Sequence, residues 1–418
     1  MINLSVYGWK VLSLRDIWLR RNPLHSVSVL NNTIVFHFLV IVVGLFFSFT
    51  ATAQTQMVYD TIPFEIIKGK FVFTAKIDGK PARFILDTGG QNIMTAENAA
   101  EYGVEILRSQ TIADANDAMI HVRMGAVKNL KIGKWMNWDV GKMTVVPNNR
   151  FFQELGVVGA IGGEAFGSIC LSIDRRNQYF TVSYPFRPRG ISRNDGTPME
   201  MGNSFHAITP ITVGSEHINI LFDTGMSGFL SLSAKDFEKI NKQKGNVEKR
   251  YTGHGILFVG VAGLENAISD SIFTVRIPVM TIPGGKQLHN VNSFVGQQST
   301  TVFGQKLFDY GVVMLDYPRG LFYFFPYENE PSDVDAVTKA WNVRILPIID
   351  HFEVVATIGD VDMRVGERVW NINGTDLTLE NFSETFVLAL LDDTERDTAD
   401  LIVGENENQL RKVIIKKI

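Results

Sequence analysis

Three apolar residues run directly into the same polar turn at two places in the chain. Residues 84–86 precede Asp87, a threonine and a glycine, and residues 220–222 precede Asp223 and the same pair 136 positions later. Short apolar runs predict buried strands, and the glycine permits a sharp turn after each acid. A carboxylate at the end of a buried strand is costly unless it is paired or hydrogen-bonded. The duplication therefore predicts two aspartates that face each other.

Each acid turn ends a predicted β-hairpin. Residues 71–77 and 83–86 are expected to form two strands around an Asp-Gly turn, which is a strong hairpin signal. Residues 206–213 and 218–222 repeat this arrangement around a Gly-Ser turn. The two hairpins align without a gap up to the acids, so the repeat is structural.

A second pair of matched segments lies downstream of the acid turns. Residues 160–162 and 302–304 each contain two apolar residues and a glycine, and Asp174 and Asp316 follow those glycines by 12 positions. Residues 101–146 alternate β-rich runs with polar turns and show little helical periodicity. We expect two mainly β halves of about 130 residues each. Asp174 and Asp316 are predicted to be structural acids.

Polar segments divide the chain further. Residues 186–198 and 328–333, rich in proline, glycine or charge, are predicted linkers. The last eighty or so residues carry strand signals at 343–349, 354–358, 368–372, 401–403 and 412–415 and a helix signal at 379–391. The predicted divisions are a leader over 1–53, an N-terminal lobe over 54–190, a C-terminal lobe over 200–327 and a small α+β domain over 334–418.

The N-terminal segment has the pattern of an export signal. An apolar run over residues 34–49 lies behind several basic residues and is followed by an Ala-Thr-Ala sequence that ends at Ala53. These features are typical of a secretory signal peptide cleaved after Ala53. An uncleaved anchor helix is the alternative, although the run is shorter than the roughly 20 residues of a span. We expect an exported protein, periplasmic or extracellular, that contacts a membrane only if cleavage fails.

Composition narrows the classes of function. The chain has 418 residues, 45% of them hydrophobic, and a formal charge of −4, so we expect a large core and no nucleic-acid partner. Cys170, the only cysteine, cannot form an internal disulfide and is expected to be buried in a strand. Motifs for zinc peptidases, serine hydrolases and phosphate-binding loops do not occur, and we expect neither a metal nor a cofactor.

Two facing carboxyl groups can carry out acid and base chemistry on one water molecule. They share a proton because ionising both at close range is unfavourable. The ionised group can take a proton from a water that attacks a peptide carbonyl, while the protonated group hydrogen-bonds the developing oxyanion. Two such carboxyl groups can therefore hydrolyse an amide bond.

The doubled Asp-Thr-Gly with its matched downstream glycine segments resembles the aspartic proteases of the pepsin and retropepsin group, over roughly residues 60–327. The resemblance implies a mainly β fold in which two homologous lobes, related by a pseudo-twofold axis, enclose the active site. It implies that Asp87 and Asp223 are the catalytic pair. It also implies four supporting residues, with the two threonines hydrogen-bonding across the axis: Thr88, Gly89, Thr224 and Gly225.

The C-terminal segment resembles a PDZ domain through residues 366–374. The whole chain resembles exported bacterial aspartyl proteases with a trailing PDZ-like domain. Such a domain can bind a peptide or protein ligand by adding a strand to its edge. Docking against the lobes is the alternative, because no clear glycine-rich carboxylate loop precedes Val354.

The residues after the two motifs depart from the family. Gly90 and Met226 occupy positions where Ser, Thr or Ala is common, and neither can donate a side-chain hydrogen bond to an aspartate. Gln91 and Ser227 are candidate substitutes. The departure leaves open an alternative function, a catalytically weakened peptide-binding or scaffold protein on the same fold.

Two segments are predicted to cover the cleft. Residues 112–123 have a polar, turn-prone tip at 114–117 and lie downstream of the first acid turn. Residues 251–263 are rich in glycine, and Gly253 and Gly255 are among those expected to supply hinge freedom. Family members use such hairpins to exclude water and hold an extended substrate.

Overall fold

The described chain is built mainly of β-strands, which confirms the predicted fold class. The computed structural model describes residues 57–418 except 114–118, 149, 186, 257–268, 297 and 392–395. The predicted leader over residues 1–53 lies outside the described residues. Among the residues that are described, no helix is both long and apolar enough to cross a bilayer.

The first half contains eleven of the described strands. They are β1 (Val58–Pro63), β2 (Glu65–Ile67), β3 (Lys70–Ile77), β4 (Lys80–Asp87), β5 (Ile93–Thr95), β6 (Glu105–Ala113), β7 (Met119–Ile132), β8 (Met136–Val146), β9 (Gly159–Gly162), β10 (Cys170–Asp174) and β11 (Tyr179–Tyr184). The second half contains β12 (Thr197–Pro198), β13 (Glu200–Met201), β14 (Ala207–Val213), β15 (Glu216–Phe222), β16 (Leu230–Ser233), β17 (Glu248–Ile256), β18 (Ser269–Thr281), β19 (Gln287–Gly296), β20 (Val302–Phe303), β21 (Gly311–Asp316) and β22 (Leu321–Pro326).

The C-terminal segment adds a smaller set of strands, and the α-helices are short throughout the described chain. The strands are β23 (Val343–Ile348), β24 (His351–Ile358), β25 (Arg368–Ile372), β26 (Thr375–Asp376), β27 (Thr398–Val403) and β28 (Arg411–Lys416). The α-helices are α1 (Ala96–Glu101), α2 (Arg150–Leu155), α3 (Ala234–Ile240), α4 (Asp335–Thr338) and α5 (Glu384–Leu391).

The two predicted hairpins form, and they keep the same register. In the first hairpin, β3 pairs with β4 around Asp78 and Gly79, whose φ angles of 48° and 81° suit a tight hairpin turn. In the second, β14 pairs with β15 around Gly214, which also has a positive φ, of 60°. Each hairpin carries its acid turn to the place where β4 or β15 ends.

The matched downstream segments run beside the acid turns. Strand β9 pairs in parallel with β4, so that Gly162 lies opposite Asp87. Strand β20 pairs in parallel with β15 in the same way. A Cβ atom at Gly162 would lie 2.2 Å from the carbonyl oxygen of Gly90. Glycine is therefore required here because the two backbones approach too closely for a side chain.

A six-stranded sheet joins the two halves, in the order β1-β11-β10-β21-β22-β12. Strand β10 of the first half pairs antiparallel with β21 of the second, so that Cys170 lies opposite Asp316. Cys170 is buried as predicted, and burial together with Asp316 raises the pKa of its thiol to about 12. The halves also share one apolar cluster, in which Phe71 contacts Phe308 at 5.4 Å between ring centroids.

The C-terminal segment continues a sheet of the second half. Strand β17 pairs antiparallel with β24, with Gly253 opposite Ile358. A Cβ atom at Gly253 would lie 2.1 Å from the carbonyl oxygen of Thr357, and one at Gly255 would lie 2.2 Å from that of Val355. The structure thus gives these glycines a different role from the predicted hinge: they allow β17 to pack closely against β24.

The predicted single helix over residues 379–391 is wrong. A 3₁₀ turn at Leu379–Asn381 is followed by the separate helix α5. The break occurs because Ser383 begins a new helix, where its hydroxyl accepts a hydrogen bond from the backbone N–H of Phe386 at 3.0 Å. Apolar periodicity does not reveal such a restart.

Asp174 and Asp316 have structural contacts, as predicted. Asp174 accepts hydrogen bonds from Asn177 and Tyr327. Asp316 is fully buried and forms ion pairs with Arg187 at 3.2 Å and Arg319 at 3.0 Å. The carboxylate of Asp316 therefore holds two arginines beside the sheet that joins the halves.

Replacing Asp316 with alanine should lower the free energy of unfolding by about 3 kcal/mol, because two arginines lose their buried partner. Denaturant-induced unfolding measures the change. Asp397→Ala is the matched control: its ion pair with Lys339 is exposed, so the expected loss is below about 1 kcal/mol. Equal losses in the two variants would show that the buried ion pairs of Asp316 contribute no more than an exposed one.

Candidate active site

The structure brings Asp87 and Asp223 together where the two hairpins meet. The Oδ1 atoms of both acids lie within 2.9 Å of the position that a Cβ atom would take on Gly225. Each acid also lies directly against a glycine of the opposite half. A Cβ atom on Gly89 would lie 2.3 Å from Cγ of Asp223, and one on Gly225 would lie 2.6 Å from Oδ1 of Asp87. Any side chain at either glycine would push the two acids apart.

Two fully buried threonines hold the acid turns together from beneath. The backbone N–H of Thr88 donates to Oγ1 of Thr224 at 2.9 Å, and the N–H of Thr224 donates to Oγ1 of Thr88 at 3.1 Å. Each hydroxyl then donates to a carbonyl of the other half, Thr88 to Phe222 and Thr224 to Leu86. These four reciprocal bonds fix the position of one acid turn relative to the other.

Each turn also orients its own carboxyl group. The backbone N–H of Gly225 donates to Oδ1 of Asp223 at 2.6 Å, and the N–H of Gly89 contacts Asp87. Burial and the negative charge of Asp223 together raise the pKa of Asp87 well above its ordinary value. The raised pKa favours the protonated form of Asp87 over that of an ordinary aspartate.

Four polar side chains near the acid turns were not singled out from the sequence. Gln305 donates to the carbonyl oxygen of Thr224 through Nε2. Asn92 accepts from the backbone N–H of Gly162 at 2.9 Å. Lys70 donates to the carbonyl oxygen of Gly225, and the ring of His206 contacts the backbone of Gly90. Lys70 and His206 are 136 residues apart, and this shared spacing is a signal that the sequence did contain.

The residues directly after each motif have defined surroundings. A Cβ atom at Gly90 would lie 2.7 Å from Oδ2 of Asp87, so this position faces the outer carboxyl oxygen directly. The two candidate substitutes have other contacts: Gln91 accepts from the hydroxyl of Thr144 at 3.0 Å, and Ser227 accepts from Lys70 at 2.9 Å. Neither contact replaces a hydroxyl donor on Asp87.

The predicted covers of the cleft are described only in part. The β6–β7 and β17–β18 hairpins have regular antiparallel pairing in the described residues. Their tips, residues 114–118 and 257–268, lie outside the described residues. Cover of the cleft by these hairpins stays a prediction.

Within the described ranges, no group of three or more His, Cys, Asp or Glu side chains is arranged to hold a metal ion. The candidate site consists of two carboxyl groups and their hydrogen-bonding partners. Two carboxyl groups in contact can share one proton.

Comparisons with known proteins bear on part of the chain. Residues 73–162, which include the first acid turn and strand β9, match the family model for aspartyl proteases. No curated protein sequence matches the chain.

Two solved structures of similar fold are an aspartic proteinase and a soybean globulin. One is an aspartic proteinase from Irpex lacteus, at 12% identity and a TM-score of 0.40, covering 65% of this chain and 98% of that one. Another is basic 7S globulin from soybean, at 11% identity and a TM-score of 0.38, covering 64% of this chain and 94% of that one.

Asp87 should make the folded protein less stable as pH rises. Its raised pKa means that the folded state keeps a proton that the unfolded state releases above about pH 4. Stability from this group is therefore full below that pH and is lost as pH rises towards the folded-state pKa. Asp87→Asn should flatten that part of the unfolding free energy curve, measured by chemical denaturation across the pH range.

Asp350 is a control whose contribution to folding stability has the opposite pH dependence. It is exposed, and its hydrogen bond with His351 lowers its pKa, so stability from this group is lost as pH falls. A wild-type curve that coincides with the Asp87→Asn curve at every pH would contradict the assignment for Asp87.

Proposed function

We propose that the protein is an aspartic endopeptidase that hydrolyses peptide bonds with a water held between Asp87 and Asp223. The observation that carries the proposal is the contact of two carboxyl groups in matching turns, fixed by reciprocal threonine hydrogen bonds. The aspartyl protease family match over residues 73–162 supports it. The proposed substrate is a polypeptide.

The chemistry depends on the shared proton. One carboxylate accepts a proton from the water as its oxygen attacks the peptide carbonyl. The other carboxyl group is protonated and donates a hydrogen bond to the oxygen on which negative charge develops. The amide C–N bond then breaks, and the leaving nitrogen takes up the proton that the first carboxylate accepted from the water. The raised pKa of Asp87 supports the presence of one neutral acid in the pair.

The rival function is peptide binding without efficient cleavage. The feature that favours it is Gly90, because the outer oxygen of Asp87 receives no hydroxyl hydrogen bond from that position. Both aspartates and both threonines are nevertheless present and in contact, which a binding protein would not require. We therefore favour the peptidase.

Asp87→Asn and Asp223→Asn should each reduce peptide cleavage by about 10³-fold or more, because an amide cannot share the proton. Both variants should be at least as stable as the wild type, since each removes a like-charge conflict. Cleavage of an unfolded polypeptide and thermal unfolding measure the two effects. A statine-type transition-state analogue should inhibit, and chelators should have no effect.

Asp78→Asn is a matched control for these variants. Asp78 lies in the exposed β3–β4 turn with a φ of 48°, a conformation that asparagine adopts readily. Its cleavage rate should equal that of the wild type. Cleavage that survives in either active-site variant would contradict the catalytic pair.

We propose the domain division that the sequence predicts, with lobes over 54–190 and 200–327 and a PDZ-like domain over 334–418. A separate apolar cluster within the last segment supports it. The contacts favour a bracing role for this domain over peptide capture. Its strand β24 pairs with β17, and its Phe382 ring lies 4.7 Å from the guanidinium of Arg150 in α2. A peptide or protein ligand would have to use an edge that β17 leaves free.

We also propose export with cleavage of the leader after Ala53, to a periplasmic or extracellular location. The basic flank, the short apolar run and the Ala-Thr-Ala sequence support this. N-terminal sequencing of protein from the exporting cell should give a first residue at Gln54. Recovery of the intact leader in a membrane fraction would instead indicate an anchored protein.

A further inference from the structure

The repeat extends further towards the N-terminus than the two hairpins. Lys68 and Gly69 have φ angles of 50° and 72°, and their counterparts 136 residues later, Ser204 and Phe205, have φ angles of 55° and 60°. Positive φ is unfavourable for phenylalanine, so the second turn is kept despite local strain. In each half the residue after this turn is a base, Lys70 in the first and His206 in the second.

Lys70 crosses to the acid turn of the other half. Its Nζ donates to the carbonyl oxygen of Gly225 and to Oγ of Ser227, the latter at 2.9 Å. It also lies 5.6 Å from the ring centroid of Phe151. Lys70 therefore places a positive charge beside the turn that carries Asp223.

His206 occupies the corresponding position in the second half. Burial disfavours its protonated ring, whereas Asp223 and the backbone of Gly90 favour it. Its Nε2 is buried and has no hydrogen-bond partner among the described residues. Burial lowers the pKa of His206 below its ordinary value, so the ring is neutral at neutral pH. The two repeat-related bases thus differ in charge.

We propose that Lys70 is a positioning residue that binds the acid turn of the other half across the pseudo-twofold axis, and that its charge leaves the shared proton on Asp87. Asp223 is then the base that accepts the proton of the water, and Asp87 is the acid that faces the oxyanion. The assignment of these roles rests on the proposed peptidase function, whereas the cross-axis contacts and the position of the proton do not.

Other charged groups near Lys70 do not cancel this effect. Lys70 interacts most strongly with Asp223, then with Asp87, then with Glu384 of α5, and these three oppose the lowering of its pKa by burial. Lys68 and Arg150 both pair with Glu154, at 3.7 Å and 3.0 Å, and Glu384 pairs with Arg344 at 2.8 Å. Lys70 also opposes the rise in the pKa of Asp87, but its strongest interaction is with Asp223.

The first test is the pH dependence of kcat/KM for Lys70 variants. The acidic limb reports protonation of the essential carboxylate in the free enzyme. Lys70→Met removes the charge that favours this carboxylate, so the acidic limb should move up by about one pH unit. Lys70→Gln, which can still donate to Gly225, should move it equally, and Lys70→Arg should leave it in place.

Lys68→Met is the matched control. It removes the same charge two positions before Lys70, and the side chain that it removes pairs with Glu154 instead of contacting an acid turn. Its profile should match the wild type. A purely structural role for Lys70 would lower kcat or the melting temperature in the Met and Gln variants without moving the limb. That outcome would overturn the electrostatic part of the proposal.

The second test needs no activity. Asp87→Asn mimics the neutral acid and keeps the Lys70–Asp223 attraction, whereas Asp223→Asn loses it. Asp87→Asn should therefore melt about 3 °C above Asp223→Asn near neutral pH. In a Lys70→Gln background the difference should fall below about 1 °C, as expected for coupled neighbours.

The proton assignment and the peptidase mechanism can fail separately. Equal or reversed melting temperatures would overturn the proton assignment even if both Asn variants lack cleavage. Cleavage by either Asn variant would overturn the peptidase mechanism, whatever the melting temperatures show.

Discussion

The structure depends on the contact between two acid turns that come from distant parts of the chain. Residues 136 positions apart exchange four hydrogen bonds through Thr88 and Thr224, with both side chains fully buried. This contact is possible only because Gly89 and Gly225 have no side chains. Strands β9 and β20 pair in parallel with β4 and β15, the strands that carry the turns. The six-stranded sheet joins the two halves.

Burying two carboxyl groups side by side is unfavourable, and the surrounding residues reduce that penalty in specific ways. Backbone N–H groups of the turns bind the carboxyl oxygens, and a shared proton removes one negative charge. Lys70 contributes a positive charge from the opposite half. The apolar cluster that the halves share stabilises the fold around this site, and the contact of Phe71 with Phe308 connects the halves directly.

The sequence was sufficient to predict the hairpins and the contact of the two acid turns, because strand ends, turn residues and repeats are local features. Its signal for Lys70, the 136-residue spacing from His206, was overlooked, and it did not reveal Gln305, since a lone glutamine acquires meaning only when the fold places it beside a distant carbonyl. The pairing of β17 with β24 was missed for a similar reason. The glycines that permit close strand contact look the same in sequence as glycines that permit motion.

The two halves repeat one plan but differ at the positions that surround the acids. A lysine in one half corresponds to a histidine in the other, and Gly90 corresponds to Met226. In the second half, the β17–β18 hairpin pairs with β24. In the first half, strand β6 of the β6–β7 hairpin is the edge strand of its sheet. A symmetric pair of acids would share a proton equally, but bond cleavage requires one acid and one base at any moment. The differences between the halves make the two acids unequal. Because Lys70 lies on the Asp223 side, these differences favour the proton on Asp87.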